Sequence, residues 1–364
     1  MAETIVIKSK IEDFNKRINI SGDKSLSIRW VLFASLANGV SKSKHLLMSE
    51  DVLAAINAIK KLGIKVKFNK DVCEISGKGI DGYKYKKNLT INAENSGTLG
   101  RLILGLLINT PYPIRLIGDK SLSKRDFSRV IKPLKLFGIN IKSKKNLLPI
   151  RIRGTEFLRP ISYNEEIGSA QVKSCIIFSA LNTPGITKIN SKRSRNHTEL
   201  MLKFLKYPIK IKNSDEFQTI SIQGKNQFSA FNYIVPGVIS SAAFFIVLTV
   251  LSENSKLKIK NVNINSSRVG ILEILKKMGI NINLKNQKTY KGEKIADIII
   301  NSQKNLKPIN CPPELNSSAI DEFLLIFLIA AKAKGISYFK KLSELNQKES
   351  PRLYWGSKIL NKMG

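Results

Sequence analysis

One phrase recurs along the chain and limits what it can fold into: a lysine-bearing helix end, a glycine, then an apolar residue that opens an alternating strand. It reads Lys60-Lys61-Leu62-Gly63-Ile64 after a helix beginning near Glu50-Asp51-Val52, and Lys135-Leu136-Phe137-Gly138-Ile139 after Phe127–Leu134. It returns as Lys276-Lys277-Met278-Gly279-Ile280, before the alternating Asn281-Ile282-Asn283-Leu284, and Lys206-Tyr207-Pro208-Ile209 is a degenerate copy. A glycine just past the last turn takes the left-handed conformation that closes a helix, and lysines there suit the negative end of its dipole. The copies stand about 70–75 residues apart, so each unit carries several strands and two helices. An α/β architecture of repeated units is expected. The chain ends in Asn361-Lys362-Met363-Gly364, the same helix-stop phrase with no strand after it, so the last unit is expected to be largely missing.

The 364 residues suggest two domains, because single cores stop growing at roughly 250–300 residues. The formal net charge is +34, with 61 Lys+Arg against 27 Asp+Glu, which makes nucleic acid, acidic membrane and phosphorylated metabolites candidate partners. Lysine is spread everywhere, even through the strand-like Ile64-Lys65-Val66-Lys67-Phe68, whereas a nucleic-acid face would concentrate charge on one element. The total therefore reads as a background bias, with no nucleic-acid partner expected. Cys73, Cys175 and Cys311 are widely separated, and two lone histidines, His45 and His197, cannot build a metal site without carboxylates. Cys175, in an apolar run, is expected to be a buried structural thiol. The N-terminus has no signal-peptide pattern, and the longest apolar runs, Ala242–Leu251 and Phe323–Ala331, are too short to span a bilayer. They are expected as buried helices in a soluble, cytoplasmic monomer without a membrane partner.

Several helices open on loops suited to anions. Gly22-Asp23-Lys24-Ser25 precedes a helix over Ser25–Asn38 that carries Arg29, and Asn95-Ser96-Gly97-Thr98 precedes one over Gly97–Leu107. Another runs over Gly168–Leu181 from Gly168-Ser169-Ala170-Gln171, and Ser240–Leu251 follows Pro236-Gly237. Hydroxyls and small residues cap the first N–H groups, and those same groups bind phosphate or carboxylate. Each taken singly is explained as a plain cap; several of one design, each with an Arg or Lys, point to anion binding.

Gly22-Asp23-Lys24-Ser25-Leu26-Ser27-Ile28-Arg29 resembles the Gly-x-Lys-Ser-x-Ser-x-Arg signature of the 3-phosphoshikimate 1-carboxyvinyltransferases, a family of enolpyruvyl transferases. Asn95-Ser96-Gly97-Thr98 with Arg101, and the segment from Gly118 to Arg125, resemble the family's next two motifs. Ser169–Ser174 and Ser194-Arg195-Asn196-His197-Thr198-Glu199 are similar to runs of one bacterial subgroup. Ile320-Asp321-Glu322 and Lys348-Glu349-Ser350-Pro351-Arg352-Leu353 resemble the catalytic segments. The matches keep family order from about residue 20 to 353.

The resemblance implies transfer of the enolpyruvyl group of phosphoenolpyruvate to the 5-hydroxyl of shikimate 3-phosphate, with release of phosphate and without a metal or cofactor. By residue, it implies that Lys24, Ser25, Arg29, Ser169, Gln171, Arg195, Asp321 and Lys348 hold shikimate 3-phosphate. Lys24, Gly97, Arg125, Gln171 and Arg352 would hold phosphoenolpyruvate. Asp321 would deprotonate the hydroxyl, and Glu349, assisted by Lys24, would move the proton at the methylene carbon. Gly97 stands where a glyphosate-tolerant subgroup carries alanine, implying a glyphosate-sensitive enzyme. The implied fold is a two-domain inside-out α/β barrel of βαβαββ units. One domain would cover residues 22–236, and the other residues 1–21, with a first strand near 3–9, plus 237–364. Substrates would lie in the cleft between them.

The sequence departs from the family at Asp126, Val238, Asn346-Gln347 and Pro351. A later Asp-His-Arg segment and a C-terminal lysine have no counterpart, so the chain is expected to be C-terminally truncated relative to the family, with impaired activity. Alternatives are a UDP-N-acetylglucosamine enolpyruvyl transferase or a non-catalytic basic remnant. The first typically has Lys-Asn at Lys24-Ser25 and a loop cysteine absent between Cys73 and Cys175.

Overall fold

A computed structural model describes residue 6, residues 11–347 and residues 350–364. Strand β1 (Asn15–Asn19) is followed by α1 (Lys24–Leu36), β2 (Asn38–Lys44), α2 (Glu50–Lys61), β3 (Lys65–Asn69) and β4 (Val72–Lys78). The next module is β5 (Thr90–Asn92), α3 (Gly97–Leu106), β6 (Ile114–Ile117), α4 (Ser128–Leu136), β7 (Asn140–Lys142) and β8 (Ile150–Arg153). A third follows: β9 (Ser162–Glu165), α5 (Ala170–Asn182), β10 (Ile186–Lys192), α6 (His197–Phe204), β11 (Ile209–Asn213) and β12 (Phe217–Gln223). After β13 (Asn232–Ile234) come α7 (Ile239–Leu251), β14 (Lys256–Asn263), α8 (Gly270–Lys277), β15 (Ile282–Tyr290) and β16 (Glu293–Asn301). The chain continues through α9 (Asn316–Ala319), α10 (Phe323–Ala331) and α11 (Arg352–Lys362).

These elements form four four-stranded sheets with one shared plan, β13-β2-β4-β3, β5-β6-β8-β7, β9-β10-β12-β11 and β1-β14-β16-β15. In each, the first strand runs parallel to the second, as the β-helix-β crossovers of β5-α3-β6 and β9-α5-β10 require. Two sheets take their first strand from far away in sequence: β13 completes the sheet of β2, and β1 that of β14. The strand expected near 3–9 lies outside the described residues apart from Val6, and the strand that enters the sheet is β1.

The chain divides into two compact units, a larger one of residues 21–236 with 289–293, and a smaller one of residues up to 20, 237–288 and 294–364. In the larger unit α1 packs on α3 and α3 on α5. Helices α1 and α5 are buried without interruption over Leu26–Leu36 and Val172–Asn182, while α2, α4 and α6 bury one face. The sheets thus surround a bundle of helices whose N-terminal turns meet. Cys175 is fully buried, as expected, and burial pushes its thiol ionisation well up. The helix-stop glycines Gly63, Gly138 and Gly279 have φ of 85°, 97° and 86°, and Lys206 takes the same place at 55°. At the C-terminal end of α5, a Cβ on Gly224 would lie 1.8 Å from the Thr183 carbonyl oxygen, so only glycine lets strand and helix meet there.

In the smaller unit α7 packs on β14 and α10, and α10 on α8 and α11. Helix α7 was expected to be buried, but Phe244 and Phe245 are 64% and 42% exposed. Its apolar composition has no period, and only packing decides which side is covered. Among the described residues no helix is long and apolar enough to cross a membrane.

Candidate active site

In the larger unit three helix N-termini are capped by side chains. Asp23 accepts from Leu26 N at 2.9 Å, Ser96 from Leu99 N at 3.2 Å and Ser169 from Val172 N at 3.4 Å. Each cap satisfies one orphan donor and leaves neighbouring N–H groups facing the mouth of the helix.

The α3 mouth carries most of the charge. Arg101 Nη1 donates to Gln171 Oε1 at 3.0 Å and to the Gly97 carbonyl at 3.3 Å, and Nη2 donates to the Asp126 carbonyl at 3.1 Å. Its guanidinium lies 4.9 Å from the centre of the Phe127 ring. Gln171 Nε2 donates to Thr98 Oγ1 at 3.2 Å, and Arg125 Nη2 to Asn95 Oδ1 at 3.0 Å. A Cβ on Gly97 would sit 2.9 Å from Arg101 Nη1 and 3.1 Å from Arg125 Nη1, so glycine opens the floor beneath two guanidiniums. Burial, then the charges of Arg125 and Arg129, hold the Arg101 pKa below its usual value. That crowding of like charge is what an anion, bound there, would relieve. Gly97, Arg125 and Gln171 are therefore brought together, and Arg101 joins them. Its place one turn after Gly97, in the same motif, is the signal that marks it.

The other expected residues of this unit are spread around a buried network. Lys24 is half-exposed and reaches Asp51 at 3.4 Å, a contact worth little on a surface; it turns to Asp51 and not to the arginine cluster. Ser25 lies partly buried at the start of α1. Arg29 is 3% exposed and donates to Thr198 Oγ1 at 2.8 Å, the Ser25 carbonyl at 3.0 Å and Ser174 Oγ at 3.1 Å. Burial lowers its pKa to about 10, against opposing effects of Glu199 and Asp23. Arg29 thus ties α1 to α5 and α6. Beside it run two buried pairs, Lys173–Glu199 and His197–Glu293, each at 2.7 Å. Arg195 is partly buried in the loop before α6, close enough for its charge to act on Arg29.

In the smaller unit the carboxylates gather. Arg268 Nη1 and Arg352 Nη1 each stand 3.4 Å from an Asp321 oxygen. Arg268 Nη2 donates to Ser240 Oγ at 2.7 Å, and Ser240 Oγ donates to Glu322. Glu322 occupies the cap position of α10 without a side-chain capping bond, so it serves this network and not the helix end. Arg268 was not expected; it sits in a Ser-Ser-Arg turn before α8 with no sequence signal of its own. Pro351 lies just before the first turn of α11, which begins at Arg352. Lys348 and Glu349 lie outside the described residues.

The enolpyruvyl transferase NikO of Streptomyces tendae shares the fold, with a TM-score of 0.69 at 12% identity over 91% of this chain and 77% of that one. The chain belongs to the EPSP synthase (3-phosphoshikimate 1-carboxyvinyltransferase) family, whose model matches residues 8–364. It is 42% identical to a 3-phosphoshikimate 1-carboxyvinyltransferase of Ruthia magnifica subsp. Calyptogena magnifica over 338 residues, 92% of this chain and 76% of that protein. An EPSP synthase structure from Acinetobacter baumannii superimposes with a TM-score of 0.87 and 35% identity, covering 95% of this chain and 78% of that one. The expected C-terminal truncation relative to the family is not borne out, because the family match runs through Gly364.

Proposed function

We infer that this protein joins phosphoenolpyruvate to the 5-hydroxyl of shikimate 3-phosphate, releasing phosphate. The observation that carries the reading is the cluster of Arg101, Arg125 and Gln171 over Gly97 at the mouth of α3. Both substrates bear phosphate and carboxylate groups, and guanidiniums recognise these in bidentate fashion. Arg125, Gly97, Gln171, Lys24 and Arg352 bind phosphoenolpyruvate. Lys24, Ser25, Ser169, Gln171, Arg195, Asp321 and Lys348 bind shikimate 3-phosphate, and Arg29 serves it by fixing Ser25 and Ser174.

Asp321, oriented by Arg268 and Arg352, takes the hydroxyl proton as that oxygen bonds to C2 of phosphoenolpyruvate. Glu349 with Lys24 delivers a proton to the methylene carbon. The adduct then expels phosphate and returns a proton from that carbon, restoring the double bond. The protein acts as a cytoplasmic monomer without nucleic acid; the even spread of lysine along the sequence supports the last point, since a nucleic-acid face would concentrate charge on one element.

The test is phosphate release by the purified chain. Release that requires both substrates, together with formation of the enolpyruvyl ether, is expected. No release with both at millimolar concentration, alongside no heat of binding for shikimate 3-phosphate, would sink the reading.

A further inference from the structure

Glu165 ends β9 and is 4% exposed. Its Oε2 accepts from Gly168 N at 2.7 Å and from Ser169 N at 2.9 Å. Gly168 has φ of 79°, a turn that points two successive amides at one oxygen. Two residues later α5 begins, with Ser169 as its cap and Gln171 bound to both Thr98 and Arg101. The carboxylate therefore fixes the loop from which Ser169 and Gln171 project.

A negative charge at this place is costly unless it does something. It stands beside a helix N-terminus that would receive a phosphate, and charges of one sign a few ångströms apart repel. Arg129 and Lys132 share the small cavity that Glu165 lines, which offsets part of that repulsion. Resting on the function inferred above, we propose that Glu165 is a positioning residue for shikimate 3-phosphate. Its two charge-assisted bonds hold the Gly168–Gln171 turn in the phosphate-receiving conformation, and their effect outweighs the repulsion.

The two effects differ in sign, which makes them separable. Under positioning, Glu165→Ala frees the turn and weakens shikimate 3-phosphate binding by about tenfold or more. Glu165→Gln keeps an oxygen that accepts both amides and stays within about threefold of wild type, or binds more tightly because the repelling charge is gone. Glu165→Asp keeps the charge but shortens the reach, so it weakens binding, and it carries the test if the alanine variant does not fold. Calorimetry with shikimate 3-phosphate reads all of these. Steady-state phosphate release should place the loss in KM for that substrate and not in kcat.

Tighter or unchanged binding in Glu165→Ala overturns the proposal, as does equal weakening in Glu165→Gln. A loss confined to thermal stability, with binding retained, overturns it as well. Wild-type protein that binds no shikimate 3-phosphate overturns the function itself; wild-type binding with indifferent variants overturns only this inference.

Discussion

The two units use similar modules for different chemistry, and the starts of their central helices show how. In the larger unit α1, α3 and α5 begin at Asp23, Ser96 and Ser169, each making a side-chain cap. Their remaining N–H groups and nearby arginines favour negative charge at the helix mouths. In the smaller unit α7 and α10 begin at Val238 and Glu322, with no side-chain cap. Polar groups there are turned on one another, so Arg268 and Arg352 orient Asp321 while Ser240 and Arg268 hold Glu322. On the function proposed above, the arginines at the larger unit's helix mouths would supply much of the anion recognition, joined by Arg352 of the smaller unit, while the smaller unit's Asp321 would move the proton. The same backbone plan supports either, because the few side chains at a helix mouth decide what it does.

The largest expected effect tests that division directly. Asp321→Asn keeps the shape but removes the proposed base, so kcat should fall by roughly 10²–10⁴-fold, with calorimetric affinity for shikimate 3-phosphate changed only a few-fold. Affinity collapsing while kcat holds would reverse the roles of the two units.

Much of this was legible in the sequence, and each failure has a physical cause. The recurring Lys-apolar-Gly-apolar phrase marks helix ends because left-handed backbone restricts residue choice, and even the degenerate Lys206 keeps the conformation. Gly97, Arg125 and Gln171 were readable through the resemblance of their segments to the family's motifs. Arg29 was readable as a cation but not as a buried one, since Thr198 and Ser174 come from more than 140 residues away in the sequence. Arg268 was invisible because its partners Asp321 and Ser240 are brought to it only by the fold, and Glu165 because a local turn without a motif aims the Gly168 and Ser169 amides at it. The exposed side of α7 was hidden by uniform apolarity, which carries no direction.

A smaller effect sharpens the anion half of the comparison. A methyl at position 97 would press on the ends of Arg101 and Arg125, at 2.9 and 3.1 Å. Both are flexible tips that yield by a few tenths of an ångström. Gly97→Ala should therefore fold normally and raise KM for phosphoenolpyruvate about tenfold by displacing these guanidiniums. Glyphosate inhibition, expected in the wild type, should weaken at least as much, whereas shikimate 3-phosphate affinity should hardly move. Equal loss for both substrates would mean that the α3 mouth does not discriminate between them.

The smallest effect concerns stability and the smaller unit alone. Asp297, on β16, is 6% exposed and accepts from Lys258 Nζ at 2.9 Å, Asn261 N at 3.0 Å and Asn286 Nδ2 at 2.8 Å. Burial pushes its pKa up, but the bonds from Lys258, Asn261 and Asn286 outweigh this and hold it below the usual carboxylate value. In the unfolded chain it titrates near pH 3.9. Above that range both states are ionised and the stabilisation is complete. As pH falls toward the lower folded value, the unfolded state takes up the proton first and the stabilisation is lost. Asp297→Asn should cost about 2 kcal/mol at neutral pH and flatten the acid limb of a denaturant-melt series between roughly pH 5 and 2. Because its bonding partners Lys258, Asn261 and Asn286 are none of the proposed site residues, kcat in the folded variant should match wild type. An acid limb as steep as before would assign the acid sensitivity to carboxylates other than Asp297.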